Sequence, residues 1–203
     1  YHLIGRGNNK RDIFLDDSDY VRFLFGLLYL QSPIGFQQIS RYTSSFTKRG
    51  VFEVEKEVVD DIVRQRYVRL VNFSLMPNHF HLTVFEKEAG GIARYMQRLL
   101  NGFTKYHNTK HEEVGHLFQG PYKARHVEDD GYLTYVSAYI HRNSSEIARW
   151  NGKEHAYPWS SFQDYVRTNR WGDLLDRDAI LSSFESGDGY HEFVNNSGAK
   201  PKT

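Results

Sequence analysis

The sequence predicts an α+β fold of the ferredoxin-like type, in which an antiparallel sheet carries helices on one face. The first observation is a strand hairpin: apolar and polar residues alternate in "VRLVNFSL" and again in "HFHLTV", and the turn residues Pro77 and Asn78 lie between them. The second observation is that helical periodicity precedes and follows this hairpin. The resulting order β, α, β, β, α, β, α is the split βαβ pattern.

The elements around the hairpin follow from local signals of the same kind. Alternation ending in glycine indicates a strand, and apolar residues at helical spacing after Asp or Gly indicate a helix. In chain order, these elements are a strand in "YHLIGRGN", a helix in "DDSDYVRFLFGLLYL", a helix that begins near Gly91, a strand broken at Gly120-Pro121, a helix from about Asp130 to Asn143, and a short helix in "YPWSSFQDYV".

Residues 33–66 form a longer connecting segment between the first helix and the hairpin. In it, "SRYTSSFTKRG" is typical of a loop, whereas "EVEKEVVDDIVRQ" indicates a short acidic helix. We therefore predict one domain over residues 1–166, with 33–66 as its connecting segment, and a C-terminal extension over 167–203. The end of that extension, "NNSGAKPKT", is expected to be flexible.

The composition is that of a folded globule. The 203 residues are 39% hydrophobic and include 14 Tyr and 14 Phe, whereas disordered chains are poor in aromatic residues. Cysteine is absent, which excludes disulfides and thiolate zinc sites. No run approaches the ~18 apolar residues of a membrane span, and the first residues lack a signal-peptide pattern. We expect a soluble, cytoplasmic protein with no membrane partner.

The histidine strand is the first candidate site. Side chains alternate along a strand, so His79, His81 and Thr83 share one face. Two neutral imidazoles are a ready pair of metal ligands, but a stable site needs a third donor. Taken alone, the pair favours a structural or accidental role over a metal site.

Tyr139 and Asn143 add a second pattern, because they lie four residues apart on one face of the predicted last helix. The Asn143 carbonyl is a candidate third ligand, and imidazole and oxygen donors suit Mg²⁺ or Mn²⁺, although zinc is also admitted. A tyrosine beside such an ion is a candidate nucleophile toward a phosphodiester. The alternatives are that Tyr132, Tyr135 and Tyr139 only pack, that Tyr135, one turn earlier on the same face, reacts instead, and that Asn143 is a helix cap.

Four motifs in order resemble those of the single-tyrosine HUH transposases, the insertion sequence 200-like family, and especially their REP-associated tyrosine transposase branch. HUH denotes the histidine–hydrophobic–histidine strand. The motifs are "YHLIGRGNNKRDIF", "SLMPNHFHLTV", "YIHRN" and "YPWSSFQDY", which span residues 1 to about 166. Two stretches depart from the family pattern. The chain has "NSSEIA" after its Asn where the family has "NPVRAG", and its 33–66 segment is longer.

The resemblance implies a ferredoxin-like core that binds single-stranded DNA with hairpin ends. It also implies metal-assisted cleavage that leaves a 5′-phosphotyrosine and a 3′-hydroxyl. Carried onto this sequence, it makes His79 and His81 metal ligands, Tyr139 the nucleophile and Asn143 the third ligand, with Mg²⁺ or Mn²⁺ as the ion. It leaves a monomer and a homodimer with shared active sites both open.

The distribution of charge suits a nucleic-acid partner although the net charge is only +1. Residues 90–127 carry six Lys or Arg against two Glu, and residues 1–11 carry three bases and no acid. With DNA as substrate, these bases become phosphate contacts; otherwise they are a solvated surface. The candidates are Arg6, Arg94, Arg98, Lys105, Lys123 and Arg125.

Two other functions fit the same sequence. The first is a non-catalytic, domesticated regulator that binds DNA hairpins, for which DNA affinity would survive Tyr139→Phe and no covalent adduct would form. The second is an RNA-binding module on a similar sheet, for which metal removal and His79→Ala would have no effect.

Overall fold

The computed structural model describes residues 1–199 of the chain. Residues 200–203, on which part of the expected flexible end falls, lie outside the described residues. The strands are β1 (His2–Arg6), β2 (Val68–Met76), β3 (His79–Glu86) and β4 (Lys123–Arg125). The helices are α1 (Asp17–Tyr29), α2 (Ile39–Arg49), α3 (Lys56–Gln65), α4 (Gly91–Lys110), α5 (Asp130–Arg142), α6 (Phe162–Val166), α7 (Asp178–Leu181) and α8 (Gly187–Asn196).

The four strands form one antiparallel sheet in the order β2-β3-β1-β4. This is the split βαβ arrangement, so the predicted α+β fold class is confirmed. Pro77 and Asn78 make the turn of the β2–β3 hairpin, and the carbonyl of Pro77 accepts hydrogen bonds from the backbone N–H groups of Ile13 and Phe14 at 2.8 and 3.1 Å. The turn is therefore held by the segment that follows β1.

The main core lies between one face of the sheet and helices α1 and α4. Leu3, Phe80 and Leu82 are fully buried there, and the ring of Phe23 on α1 packs 5.1 Å from that of Phe80. These helices match the expectation that helices cover one face. Helix α5 departs from it, because its Tyr139 packs on His81, on the opposite, histidine-bearing face. The sheet thus carries helices on both faces, with α5 lying over β2 and β3 on the histidine-bearing face.

The connecting segment contains two helices, and the interpretation of "SRYTSSFTKRG" as a loop is wrong. Helix α2 covers that stretch because Tyr42 and Phe46, four residues apart, form an apolar stripe. The ring of Tyr42 stacks 5.4 Å from Phe25, and that of Phe46 stacks 4.5 Å from Phe52. Gly50 ends the helix at φ 73°, donating its N–H to Phe46. The acidic stretch forms α3, as predicted.

The segment after residue 166 packs against the domain. The backbone N–H of Asp176 donates to the carbonyl of Leu70 at 2.8 Å, and Tyr190 on α8 is fully buried. Asp164 is also fully buried, paired with Arg170 at 2.7 Å. Within the part of the chain that the structure describes, no helix is long and apolar enough to cross a membrane.

Candidate active site

Strand β3 and helix α5 bring the two sequence patterns together on one face of the sheet. The hydroxyl of Tyr139 lies 3.4 Å from Nε2 of His81, and the ring centroids are 5.2 Å apart. The side-chain oxygen of Asn143 lies 3.0 Å from Nε2 of His79. His79, His81 and Asn143 are at most 5% exposed, while Tyr139 is half-buried. The phenol is therefore beside the imidazoles and still reachable from solvent.

Asn78 sets the tautomer of His79. Its amide nitrogen donates to the carbonyl of Lys10 at 3.2 Å, which points its oxygen at Nδ1 of His79, 2.6 Å away. His79 therefore donates from Nδ1 and carries its lone pair on Nε2. Burial, helped by the charge of Arg6, lowers the pKa of His79 to about 4, so the ring is neutral at neutral pH.

The contact between His79 and Asn143 fits a divalent cation. With Nε2 unprotonated, two lone pairs, one on nitrogen and one on the amide oxygen, face each other at 3.0 Å. A cation between them, or rotation of the Asn143 amide, removes this repulsion. Metal-binding histidines are usually oriented by a hydrogen bond from the ring nitrogen that does not bind the metal, and Nδ1 of His79 makes such a bond to the side-chain oxygen of Asn78. The donor set therefore suits a metal ligand pair.

His2 completes the site and was not predicted from the sequence. Its Nε2 lies 2.8 Å from Nδ1 of His81, with the two rings stacked at 27° and 5.1 Å. When His81 donates from Nδ1 to His2, its Nε2 carries the lone pair on the side of Tyr139. Burial chiefly, then Arg125 and the amino terminus, lowers the pKa of His2 to about 4. In that tautomer, His81 is a neutral ring that His2 holds with its lone pair toward Tyr139.

The signal for His2 in the sequence is its parity along β1. His2, Ile4 and Arg6 share one face of that strand, and strand pairing sets Ile4 opposite His81 and Arg6 opposite His79. The local sequence pattern does not reveal which strand β1 pairs with. The contact of His2 with His81 could therefore not be foreseen.

Burial also governs the chemistry of Tyr139. Its pKa is raised above the usual 10, first by burial and then by the charge of Glu146, whereas Arg6 acts in the opposite direction. The phenol is therefore protonated at neutral pH. Any attack by its oxygen requires loss of that proton, and the positive charge of Arg6 favours the phenolate.

A buried hydrogen-bond chain anchors α5 from behind. His141 contacts the hydroxyl of Tyr190 through Nδ1 at 2.6 Å and that of Ser161 through Nε2 at 2.8 Å, and Ser137 lies 2.5 Å from Tyr190. Burial lowers the pKa of His141 to about 3, so this ring is neutral. His141 faces away from Tyr139, into the layer formed by α6 and α8.

Three of the predicted phosphate contacts lie on or beside the histidine face. Arg6 is opposite His79 in the strand pairing, and Lys123 and Arg125 on β4 are opposite Ile4 and His2. Directly paired residues share a face of a sheet, so the side chains of Lys123 and Arg125 project on the side of the imidazoles. Arg6, Lys123 and Arg125 are all exposed.

The other three predicted contacts lie on α4, on the far side of the sheet. The guanidinium of Arg98 donates to the carbonyls of Ser32 and Ile34, the latter at 2.7 Å, so this side chain ties α4 to that segment, and its phosphate contact stays a prediction. Arg94 is paired with Glu88 at 2.7 Å. Lys105 lines a groove of about 680 Å³ between α4 and residues 116–122.

Comparison with protein families gives a match. The family described as "Transposase IS200 like" matches residues 37–143, just over half of the 203 residues. The matched region contains β2, β3, α4, β4 and α5, and with them His79, His81, Tyr139 and Asn143. It begins after β1. Comparisons with curated proteins and with solved structures gave no match.

Proposed function

The chain belongs to the IS200-like transposase family, and on this premise we propose that it cleaves and rejoins single-stranded DNA through Tyr139. The family makes DNA the partner and DNA transposition the class of activity. One observation supports the finer proposal: the Tyr139 hydroxyl lies 3.4 Å from His81, while His79 and Asn143 meet 3.0 Å apart beside it. We place the chain in the single-tyrosine HUH group, in its REP-associated branch, on the four motifs.

His79, His81 and Asn143 are the residues that would hold the metal, and Mg²⁺ or Mn²⁺ is the ion that this donor set favours. When bound, the ion would neutralise charge on the scissile phosphate and polarise its P–O bonds. The protein itself orients the side chains that would bind the ion. Asn78 contacts Nδ1 of His79 at 2.6 Å, so Nε2 of His79 is left toward Asn143. His2 contacts Nδ1 of His81 at 2.8 Å, so Nε2 of His81 is left toward Tyr139.

Cleavage at Tyr139 is a transesterification. The phenol oxygen attacks phosphorus, the bond from phosphorus to the 3′-oxygen breaks, and the proton lost by the phenol is balanced by one gained at the 3′-oxygen. The products are a 5′-phosphotyrosine and a free 3′-hydroxyl. Attack by another 3′-hydroxyl reverses the step and joins two strands, so no nucleotide cofactor is consumed.

The strand of DNA is proposed to follow the open side of the histidine face. Helix α5 covers this face over β2 and β3, and the face over β1 and β4 bears Arg6, Lys123 and Arg125. A phosphodiester bound at Tyr139 therefore lies near Arg6, and the neighbouring phosphates lie near the positively charged side chains of Lys123 and Arg125 on β4. The resemblance to the HUH transposases further implies that the bound single strand carries a hairpin.

Salt dependence of binding tests this path. Arg6→Ala and Lys123→Ala should each lower the slope of log affinity against log salt concentration by about 0.7, the contribution of one phosphate contact on a single strand. Lys48→Ala on α2 is the matched control, because Lys48 is exposed and lies on a helix that packs on α1. Fluorescence anisotropy with labelled DNA across a salt series gives the slopes. Unchanged slopes in both variants would contradict the path.

Formation of a covalent adduct tests the proposed function. Purified protein mixed with Mn²⁺ and labelled hairpin-bearing single strands should give a protein–DNA band that survives boiling in detergent, together with a released fragment ending in a 3′-hydroxyl. Chelation of the metal should prevent both. Tight, metal-independent hairpin binding with no adduct across a broad set of hairpins would instead show the non-catalytic regulator, and preference for RNA would show the RNA-binding module.

A further inference from the structure

A second group of metal-ligand side chains lies on the other side of the sheet from the histidine face. His107 and His111 are one turn apart near the end of α4, and Asp19 faces them from the first turns of α1. One ligand atom from each of the three lies within 4.8 Å of the others. The closest approach is between Nε2 of His111 and a carboxylate oxygen of Asp19, at 3.0 Å.

His107 is the member of this group that needs a partner. It is fully buried, and neither ring nitrogen has a hydrogen-bond partner within residues 1–199. Burial first, and then the neighbouring His111, lowers the pKa of His107, which keeps the ring neutral. A neutral ring carries one N–H and one lone pair, and leaving such groups unpaired in the interior destabilises the folded protein. Ligation of an ion satisfies the lone pair.

From this geometry we propose that Asp19, His107 and His111 form a second, structural metal site that takes a zinc-type divalent ion. Two imidazoles and a carboxylate are a common zinc donor set, and they leave a fourth position for water or for Glu113. A carboxylate oxygen of Glu113 lies 3.7 Å from Nδ1 of His107. Nε2 of His111 and the Asp19 carboxylate, 3.0 Å apart, are already close enough to share an ion, and zinc bonds of about 2.0–2.1 Å require His107 to approach them by rotation of its side chain.

Lys110 occupies part of this region, and the structure provides it with other partners. Its amino group lies 2.8 Å from Asp19, but also 2.7 Å from both carboxylate oxygens of Asp16 and 2.6 Å from the hydroxyl of Ser18. Lys110 can therefore keep its contacts with Asp16 and Ser18 while Asp19, which already faces His111, binds an ion. The carboxylate of Asp19 is also held in place, because it accepts the backbone N–H of Leu15 at 2.9 Å.

The location indicates a bracing role. The site joins the start of α1 to the end of α4, the two helices that form the main core with the sheet. Arg11 pairs with Glu113 beside it and ties in the segment that follows β1. An ion here would strengthen that layer without touching Tyr139 or His79, so this proposal is independent of the proposed nuclease.

Zinc stoichiometry tests the proposal. We expect the His79→Ala/His81→Ala double variant to bind one equivalent of Zn²⁺ by calorimetry and to gain melting temperature in excess Zn²⁺. Adding His111→Ala should abolish both effects, and adding His155→Ala, the matched control, should leave both in place. Co²⁺ should give a tetrahedral visible spectrum that disappears with the His111 change.

The unsubstituted chain gives a second measurement that does not depend on folding of the double variant. It should bind at least one equivalent of Zn²⁺, and both His111→Ala and the more conservative His107→Gln should bind one equivalent fewer than the unsubstituted chain. No binding of Zn²⁺ by the unsubstituted chain, or an unchanged number of equivalents in either of these variants, would overturn the proposal.

Discussion

Tyr139→Phe should abolish the covalent protein–DNA adduct and strand cleavage while leaving DNA binding nearly unchanged. The substitution removes one oxygen, the proposed nucleophile, and keeps the ring that packs 5.2 Å from His81. The lost hydroxyl contributes at most about one hydrogen bond to binding, on the order of 1 kcal/mol, so affinity should change by no more than about fivefold. Boiled-gel analysis and anisotropy on the same preparation measure the two quantities.

Tyr135→Phe is the matched control for this variant. Tyr135 lies one turn earlier on the same face of α5, so its change has the same chemistry in the same helix. It should retain the adduct. An adduct that persists in Tyr139→Phe and disappears in Tyr135→Phe would reassign the nucleophile, and loss of the adduct in both would point to a disturbed helix.

His79→Ala and His81→Ala should each slow cleavage by at least about 100-fold, with a much smaller loss of DNA affinity. Removing a residue that only hydrogen-bonds to a metal ligand typically lowers metal affinity or activity by about 10–100-fold. His79 and His81 are the proposed ligands themselves, so a larger effect is expected. Single-turnover cleavage at a series of Mn²⁺ concentrations measures the effect. Thermal unfolding of each variant shows whether the sheet is intact.

His2→Ala separates ligation from orientation. His2 contacts His81 through Nδ1, not through the nitrogen that faces Tyr139. Its loss should therefore weaken metal affinity, and high Mn²⁺ should restore cleavage, whereas His81→Ala should stay slow at every Mn²⁺ concentration. Cleavage in His79→Ala and His81→Ala at the unsubstituted rate would contradict the assignment of the metal ligands.

The fold was predictable where the hydrophobic period was clear. The β2–β3 hairpin and helix α4 follow from alternation with period two and from helical spacing, which are local properties of the chain. Helix α2 was missed because Ser and Thr dominate its sequence, and its apolar stripe of Tyr42 and Phe46 gains its partners only in the folded chain. Tertiary contacts outweigh the weak local preference of such residues.

The candidate site was foreseeable in its residue types but not in its assembly. Spacing within β3 and α5 pairs His79 with His81 and Tyr139 with Asn143, since each pair lies in one element. The contact of His2 with His81 depends on the register of β1 against β3, which no local pattern encodes. The hydrogen bonds of Arg98 to the carbonyls of Ser32 and Ile34 could not be foreseen for the same reason, because these partners are distant in sequence.

The anchoring of α5 also comes from distant residues. The stretch "NSSEIA" departs from the family pattern immediately after the helix, yet α5 is held by Tyr190 on α8 and by Ser161, through Ser137 and His141. The C-terminal extension is therefore part of what positions the helix that carries the proposed nucleophile. No local pattern in residues 167–203 indicates this positioning role, because a buried chain of hydrogen bonds has no periodic signature in the sequence.

The residue that carries DNA after cleavage tests the central claim most directly. The boiled adduct can be digested with protease and nuclease, and tandem mass spectrometry then locates the side chain that bears the remaining nucleotide. The account predicts a nucleotide joined through its 5′-phosphate to Tyr139. A nucleotide on Tyr132, on Tyr135 or on any other side chain would contradict it.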